Sequence, residues 1–188
     1  MGVGQRIGGS DVKSNVSAAV LSLVIEQPSV GASVCRRFET RYHGLLGSGR
    51  QHIYDTLTRL VRTGLLERVP RDLLDALESD DVRGPTADGY RATARGARAY
   101  RGWLTAPIEF SKLSRQETLI RLASTQPNDR ATALALIDRY EQVILRLMQE
   151  TPLEAGNLMD ELVADERTDF AQAELRWVQR TREKLGGS

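Results

Sequence analysis

The sequence is short of several residue types, and each shortage excludes something. It holds one cysteine, Cys35, so no disulfide can form within the chain, and a lone thiol fits a reducing compartment. There are two histidines, His43 and His52. They lie apart, with no Cys or carboxylate at metal-ligand spacing, so no metal site is expected. No G-x-S-x-G, P-loop or H-E-x-x-H occurs, which removes the usual marks of an activated nucleophile, a phosphate cradle or a zinc protease. "GVGQRIGG" has the glycines of a nucleotide loop, but no strand precedes it. No apolar run reaches the roughly 18 residues of a membrane span. "MGVGQRIGGSDVKS" lacks the apolar core of a signal peptide and reads as a flexible leader over residues 1–13. The expectations are a cytoplasmic protein that is not an enzyme, with no cofactor, no catalytic residue and no membrane partner. Lysine is also scarce, with 3 against 23 arginines. Arginine suits bidentate phosphate and guanine contacts, although genome composition produces the same bias.

What is present describes a globular chain. It has 188 residues, 40% hydrophobic and 27% charged, enough for one domain or two small ones. The net charge of +1 hides an asymmetry: residues 1–105 hold 15 basic and 11 acidic side chains, residues 106–188 hold 11 and 14. A basic front and an acidic back permit nucleic-acid binding by the front.

Along the chain, Ser14 or Ser17 can cap a first helix, "VSAAVLSLVIEQ", that Pro28 and Gly31 end. A second helix, "ASVCRRFETRYHG", follows. Gly44, Gly47 and Gly49 then make a turn, and Ser48 is placed to cap a third helix at about 50–63, stopped by Gly64. "LLERV" and "GYRAT" flank a long polar loop in which "RDLLDALES" can form a helical turn; the two short β runs read as a wing. Thr93 caps "ARGARAYRGWL". The back part reads as helices, after a linker "TAPIEFSK". Ser114 and Glu117 form a capping box before "RQETLIRLAST". Asn128 or Asp129 caps "RATALALIDRYEQVILRLMQE", and a last helix covers about 168–185. The short apolar stripes of these late helices need a partner surface, from the first helix or from a second copy. The fold class is therefore mainly α, a winged helix-turn-helix domain over residues 14–105 with a C-terminal helical dimerisation domain over 106–188.

The third helix is the best-specified feature. At about 100° per residue, Leu57, Leu60 and Gly64 fall close to Ile53, while Gln51, Asp55, Thr58 and Arg62 cluster opposite, with His52 and Arg59 beside them. A groove-reading helix needs one face clamped on the body and one face of hydrogen-bonding side chains; a solvated surface helix shows the same pattern. On the groove reading, Ser48 and the helix N-terminus present N–H groups to a phosphate. Gln51 and His52 reach base edges, and Arg50 takes a phosphate or guanine. Arg59 and Arg62 meet the backbone. Tyr54 sits at the flank, where it packs and offers its hydroxyl. Arg68, Arg83 and Arg91 are the wing's candidates, and each arginine has a solvated or salt-bridged role as its alternative. Cys35, beside Arg36 and Arg37, is either a thiol of lowered pKa or a packed spacer.

"SAAVLSLVIEQPSVGASVCRRFE", "SGRQHIYDTLTRLVRTGLLE" and "YRATARGARAYRGWL" resemble the winged-helix domain of PadR-type bacterial transcriptional regulators. The matching positions are Gly31, Ser48, Tyr54, Leu57, Leu60, Gly64, Leu65, Tyr90, Thr93, Gly96, Trp103 and Leu104. "AELRWVQRTREKL" is similar to that family's C-terminal helical part, more loosely. The resemblance implies a homodimer clasped by its C-terminal helices, a double-stranded two-fold DNA operator, repression, and a small phenolic or flat hydrophobic effector. It places Tyr90 with the DNA-binding wing. The chain departs from the family at "DVRGPTADGYRAT", where Asp88 lies close to the expected contact point and only Arg83 and Arg91 carry positive charge, while Asp80 and Asp81 add repulsion. Trp103 and Trp177 are the candidates for an effector platform, with ordinary packing as the alternative. Two rival functions remain open: a winged-helix protein-interaction module without specific DNA binding, and a redox or ligand sensor acting through Cys35.

Overall fold

The computed structural model describes residue 12, residues 14–70, residue 74, and residues 89–108, 114–150 and 157–187. The leader apart from Val12, the linker's second half, Arg83 and, apart from Leu74, the helical turn expected at "RDLLDALES" lie outside the described residues. The chain divides into two compact units, residues 1–106 and 107–188.

The first unit is a winged helix-turn-helix. Helix α1, Asn15–Glu26, starts where the Ser14 side chain accepts the backbone N–H of Ser17. Its turns are buried nearly all round, as expected of a helix that packs on several neighbours, and it contacts α2, α3 and α4. A two-residue strand β1, Ser29–Val30, follows directly, then α2, Gly31–Tyr42. Gly44 adopts φ +79° in the turn, a left-handed conformation that favours glycine. Helix α3 spans Arg50–Arg62, and strands β2, Leu66–Val69, and β3, Gly89–Ala92, form the antiparallel wing. β3 lies central in a three-stranded sheet ordered β1–β3–β2. Helix α4, Ala94–Thr105, closes the unit.

Two glycines show why the wing joins α3 where it does. Gly64, at φ +70°, follows the Thr63 C-cap. Its N–H reaches the Val61 carbonyl and the Leu65 N–H reaches Leu60, each at 2.9 Å, the paired bonds of a left-handed helix stop. Thr93 then ties the far side of the wing to this stop. Its hydroxyl donates to the Gly64 carbonyl at 2.8 Å, its N–H donates to the Leu65 carbonyl at 3.1 Å, and its oxygen caps α4 by accepting the Gly96 N–H at 3.0 Å. At Gly96 a Cβ would stand 2.1 Å from the Leu65 carbonyl oxygen. The T-x-x-G spacing is thus a clasp between the end of α3 and the start of α4.

Among the described residues the second unit has three helices: α5, Ser114–Ser124; α6, Arg130–Glu150; and α7, Leu158–Gly186. The Asp129 carboxylate accepts the Thr132 N–H and hydroxyl, which caps α6 and holds that carboxyl below its ordinary range. Its core joins Ile108, Ile137, Tyr140, Ile144, Ala171 and Val178. Helix α5 includes Ser114 as its first residue, and within it Glu117 accepts from Arg121 at 2.5 Å. One sequence expectation is corrected here. Helix α7 begins ten residues before the expected 168. Asn157 caps it, accepting the N–H groups of Met159 and Asp160, with Asp160 and Glu161 in its first turn, where acidic side chains favour a helix start. The apolar stripe around Phe170 marks only the part of α7 that packs on α6.

Candidate nucleic-acid interface

Helix α3 is gripped from one side. Ile53, Thr56, Leu57 and Leu60 are buried, whereas Gln51, His52, Asp55, Thr58 and Arg62 are exposed. Burying three large aliphatic side chains contributes on the order of 5–8 kcal/mol toward holding the helix on the body. The polar side chains therefore stand on a fixed platform, facing away from the core.

Tyr54 lies at the edge of this platform. Its ring covers the first turn of α2 so closely that a Cβ at Gly31 would lie 2.6 Å from it, which explains why α2 begins with glycine. The Tyr54 hydroxyl interacts with the buried Cys35 thiol. Burial, and secondarily the neighbouring thiol, raise the Tyr54 pKa. Burial likewise pushes the Cys35 thiol up, and the opposing charge of Arg50 is the smaller influence. Of the two readings of Cys35, a thiol of lowered pKa beside Arg36 and Arg37 or a packed spacer, the second fits: Cys35 sits on the buried face of α2.

The remaining site residues on and before α3 differ in their partners. Gln51 and Asp55 are joined, with Gln51 Nε2 donating to Asp55 Oδ1 at 3.0 Å. Arg50 lies 3.8 Å from Glu39 in a loose, exposed ion pair. His52 and Arg62 are exposed. Arg59 is exposed along much of its length, but its Nη2 donates to the buried Ser17 hydroxyl of α1 at 2.7 Å, so it ties α3 to α1 as well as facing outward. Ser48 does not cap α3. The N-cap is Gly49, in extended backbone with no side-chain cap bond, because the helix begins at Arg50 and leaves Ser48 one residue too early. The first N–H groups of α3 keep no serine oxygen over them.

In the wing, Arg91 donates from Nε to Glu67 at 2.8 Å across the β2–β3 register, both side chains exposed. Tyr90, opposite Arg68 in the same register, is largely buried. Arg68 is exposed.

The two tryptophans belong to different units. Trp103 is buried on α4 beside Tyr100, ring centroids 6.4 Å apart. Trp177 is half-buried on α7, edge-on to Tyr140 at 5.6 Å, with the Arg115 guanidinium 5.4 Å from its ring centre. Nothing in the residue order points to a polar cluster beside it, yet one is present. Glu174, only 3% exposed, accepts from Arg115 Nε at 2.8 Å and from the Tyr140 hydroxyl at 2.6 Å. Burial, with Glu174 as the next cause, raises the Tyr140 pKa, so this hydroxyl remains a donor. Partners 34 and 59 residues apart cannot be read from local spacing. The Gln51–Asp55 contact could have been, since i and i+4 meet on a helix. Among the described residues no group of three His, Cys, Asp or Glu is placed to hold a metal, and no helix is long and apolar enough to cross a membrane.

No family model matches the chain, and no curated protein does. Among solved structures it is similar to Bacillus subtilis PadR in complex with operator DNA, at 14% identity, covering 92% of this chain and 99% of that one, TM-score 0.41. Bacillus subtilis PadR in complex with p-coumaric acid gives 16% identity, 92% and 99% coverage and TM-score 0.41. A PadR-like transcriptional regulator from Bacillus cereus gives 17%, 92%, 98% and 0.39.

Proposed function

We propose that the chain is a sequence-specific DNA-binding transcriptional regulator of the PadR type, a homodimeric repressor released by a small hydrophobic or aromatic effector. The observation that carries this reading is α3 itself: one face locked into the unit by Ile53, Leu57 and Leu60, the other presenting Gln51, His52, Asp55, Thr58 and Arg62. A helix held this way can enter a major groove without rearranging the body behind it. The uncapped N–H groups at Gly49–Arg50 face the end of the helix that favours a phosphate, and Arg50, Arg59, Arg62 and Arg68 supply positive charge around it. Arg91, paired with Glu67, contributes less from the wing.

The homodimer is supported by α7. Leu158, Met159, Leu162 and Val163 are all exposed, which is unusual for four large apolar side chains in two adjacent turns. A second copy of the same helix would cover them, and a two-fold pair would set two α3 helices about 34–36 Å apart on half-sites one turn apart. The effector is supported by the sequence resemblance, with Trp177, Tyr140 and Arg115 as the aromatic and polar groups nearest to a platform.

The test is selection of bound duplexes from a random pool, followed by a shift assay on the recovered sequence at rising salt. The expected result is a two-fold consensus whose binding falls steeply with salt, because phosphate contacts release counterions. Recovery of no consensus, with retention on heparin or DNA unaffected by salt, would overturn the proposal in favour of a protein-interaction module.

A further inference from the structure

The contact between Gln51 and Asp55 has a consequence for which base the helix accepts. The inference rests on the reading of α3 as the groove helix. A carboxylate can only accept, so the Gln51 amide must turn its nitrogen toward Asp55, as found at 3.0 Å. The two residues are one helical turn apart and both exposed, and they lie in the centre of the polar face. The amide is thereby oriented. One N–H is engaged, and what remains to face a ligand is the carbonyl oxygen and the second N–H. Beside them stands the other Asp55 oxygen, an acceptor that shares the carboxylate's negative charge.

We infer that the Gln51–Asp55 pair selects adenine and rejects guanine at one position of each half-site. Adenine offers an amino donor at N6 beside an acceptor at N7. The Gln51 carbonyl accepts from the first while its remaining N–H donates to the second. Guanine offers acceptors at both O6 and N7. Its O6 would meet the Gln51 carbonyl oxygen, with the Asp55 carboxylate close by, and turning the amide over would break its bond to Asp55. Asp55, whose charge would otherwise oppose DNA, acts here as a positioning residue for Gln51 and as the excluder of guanine. Arg50 and Arg62, at other points of the exposed surface, are not constrained by this pair and keep the option of guanine or phosphate.

The experiment is selection of bound duplexes with the wild-type protein, Asp55→Asn and Gln51→Ala, followed by anisotropy titrations. The titrations use the wild-type consensus and versions in which each adenine is changed in turn to guanine. One position is expected at which wild type prefers adenine by about tenfold. At that position Asp55→Asn brings the two bases to within about twofold, since an asparagine can present either its carbonyl or its amide nitrogen to Gln51, so it no longer fixes which way the Gln51 amide turns, and it carries no charge to repel O6. Gln51→Ala weakens the preference as well, leaving only the repulsion of O6 by Asp55. Asp55→Asn also tightens binding to every duplex by removing a negative charge, so the ratio of the two bases is the readout. If wild type recovers a consensus and neither variant shifts any adenine-to-guanine ratio, the pair does not read a base. A preference for guanine at the position these variants affect would overturn the inference equally. If wild type recovers no consensus, the DNA-binding proposal fails and takes this one with it.

Discussion

Helices α3 and α7 solve opposite problems with similar materials. In α3 the large aliphatic residues Ile53, Leu57 and Leu60 are buried, and what faces water is amide, imidazole, carboxylate and guanidinium. In the first two turns of α7 the arrangement is reversed: Leu158 is 67% exposed and Leu162 52%, while the helix is well capped by Asn157. Helix α3 is complete within one chain and lacks only something to hydrogen-bond. The start of α7 is complete as a helix and lacks only something apolar to cover it. The difference separates two kinds of recognition, one carried by directional polar groups and the other by area removed from water. On the proposed function, the first would serve nucleic acid and the second another copy of the chain.

The sharpest way to break the first half of this contrast is Gly96→Ala. A methyl group 2.1 Å from the Leu65 carbonyl oxygen cannot be absorbed by a side-chain rotation, so α4 and the end of α3 must separate. We expect a loss of about 4 kcal/mol or more from the first unit, seen as a collapse of its thermal transition. A melting temperature within a few degrees of wild type would show that the clasp is not tight.

The second half is tested by Leu158→Glu combined with Leu162→Glu. Both side chains are exposed in the single chain, so helicity by circular dichroism is expected to stay unchanged. A dimer that buries them would weaken by about 100-fold or more in sedimentation equilibrium, since each buried leucine contributes roughly 1.5–3 kcal/mol. Unchanged self-association would place the dimer contact elsewhere.

A smaller effect is expected in the opposite direction at Thr56. This residue is 1% exposed on the clamped face of α3, and its hydroxyl has no hydrogen-bond partner among the described residues. Thr56→Val keeps the shape and removes the unmet polar group. The expected gain is about 1 kcal/mol in chemical denaturation, with DNA binding unchanged. A loss of stability would mean that the hydroxyl is satisfied.

The smallest effect concerns pH. Glu26 is held below its ordinary value of 4.5, first by the hydrogen bond from Arg41 and then by the charges of Arg41 and Arg37. A carboxyl depressed in the folded state adds stability that is fully present above its unfolded pKa. That stability is lost as pH falls below 4.5 through the folded value. Melting curves from about pH 6 down to about pH 3 should therefore fall less steeply in Glu26→Gln than in wild type. Equal slopes would show that the ion pair adds nothing there.

Much of this contrast was legible in the residues. The alternation that buries Ile53, Leu57 and Leu60 is a local pattern with a fixed period, and Gly64 and Thr93 mark ends of elements by conformational demand and capping. Strand β1 was not legible, because Ser29 and Val30 are a strand only by pairing with Gly89 and Tyr90, far along the chain. The burial of Tyr90 was not legible either, because it follows from its place in the central strand. Ser48 failed as a cap by one residue, which is within the ordinary uncertainty of a helix boundary. The early turns of α7 escaped for a different reason. Their apolar residues do not pack within the chain's described structure, so they form no stripe continuous with Phe170, Ala171 and Val178. The Arg115–Glu174–Tyr140 cluster depends on three separate helices and leaves no local signature.

The central claim is that α3 reads bases. The most direct measurement is an anisotropy titration of the selected duplex and of a scrambled duplex with wild type and with a Gln51→Ala, His52→Ala double variant. If α3 is the reader, the variant loses about tenfold or more on the selected duplex. It stays within about twofold on the scrambled one, because the phosphate contacts are untouched. Equal affinity of wild type and variant for the selected duplex would contradict the claim.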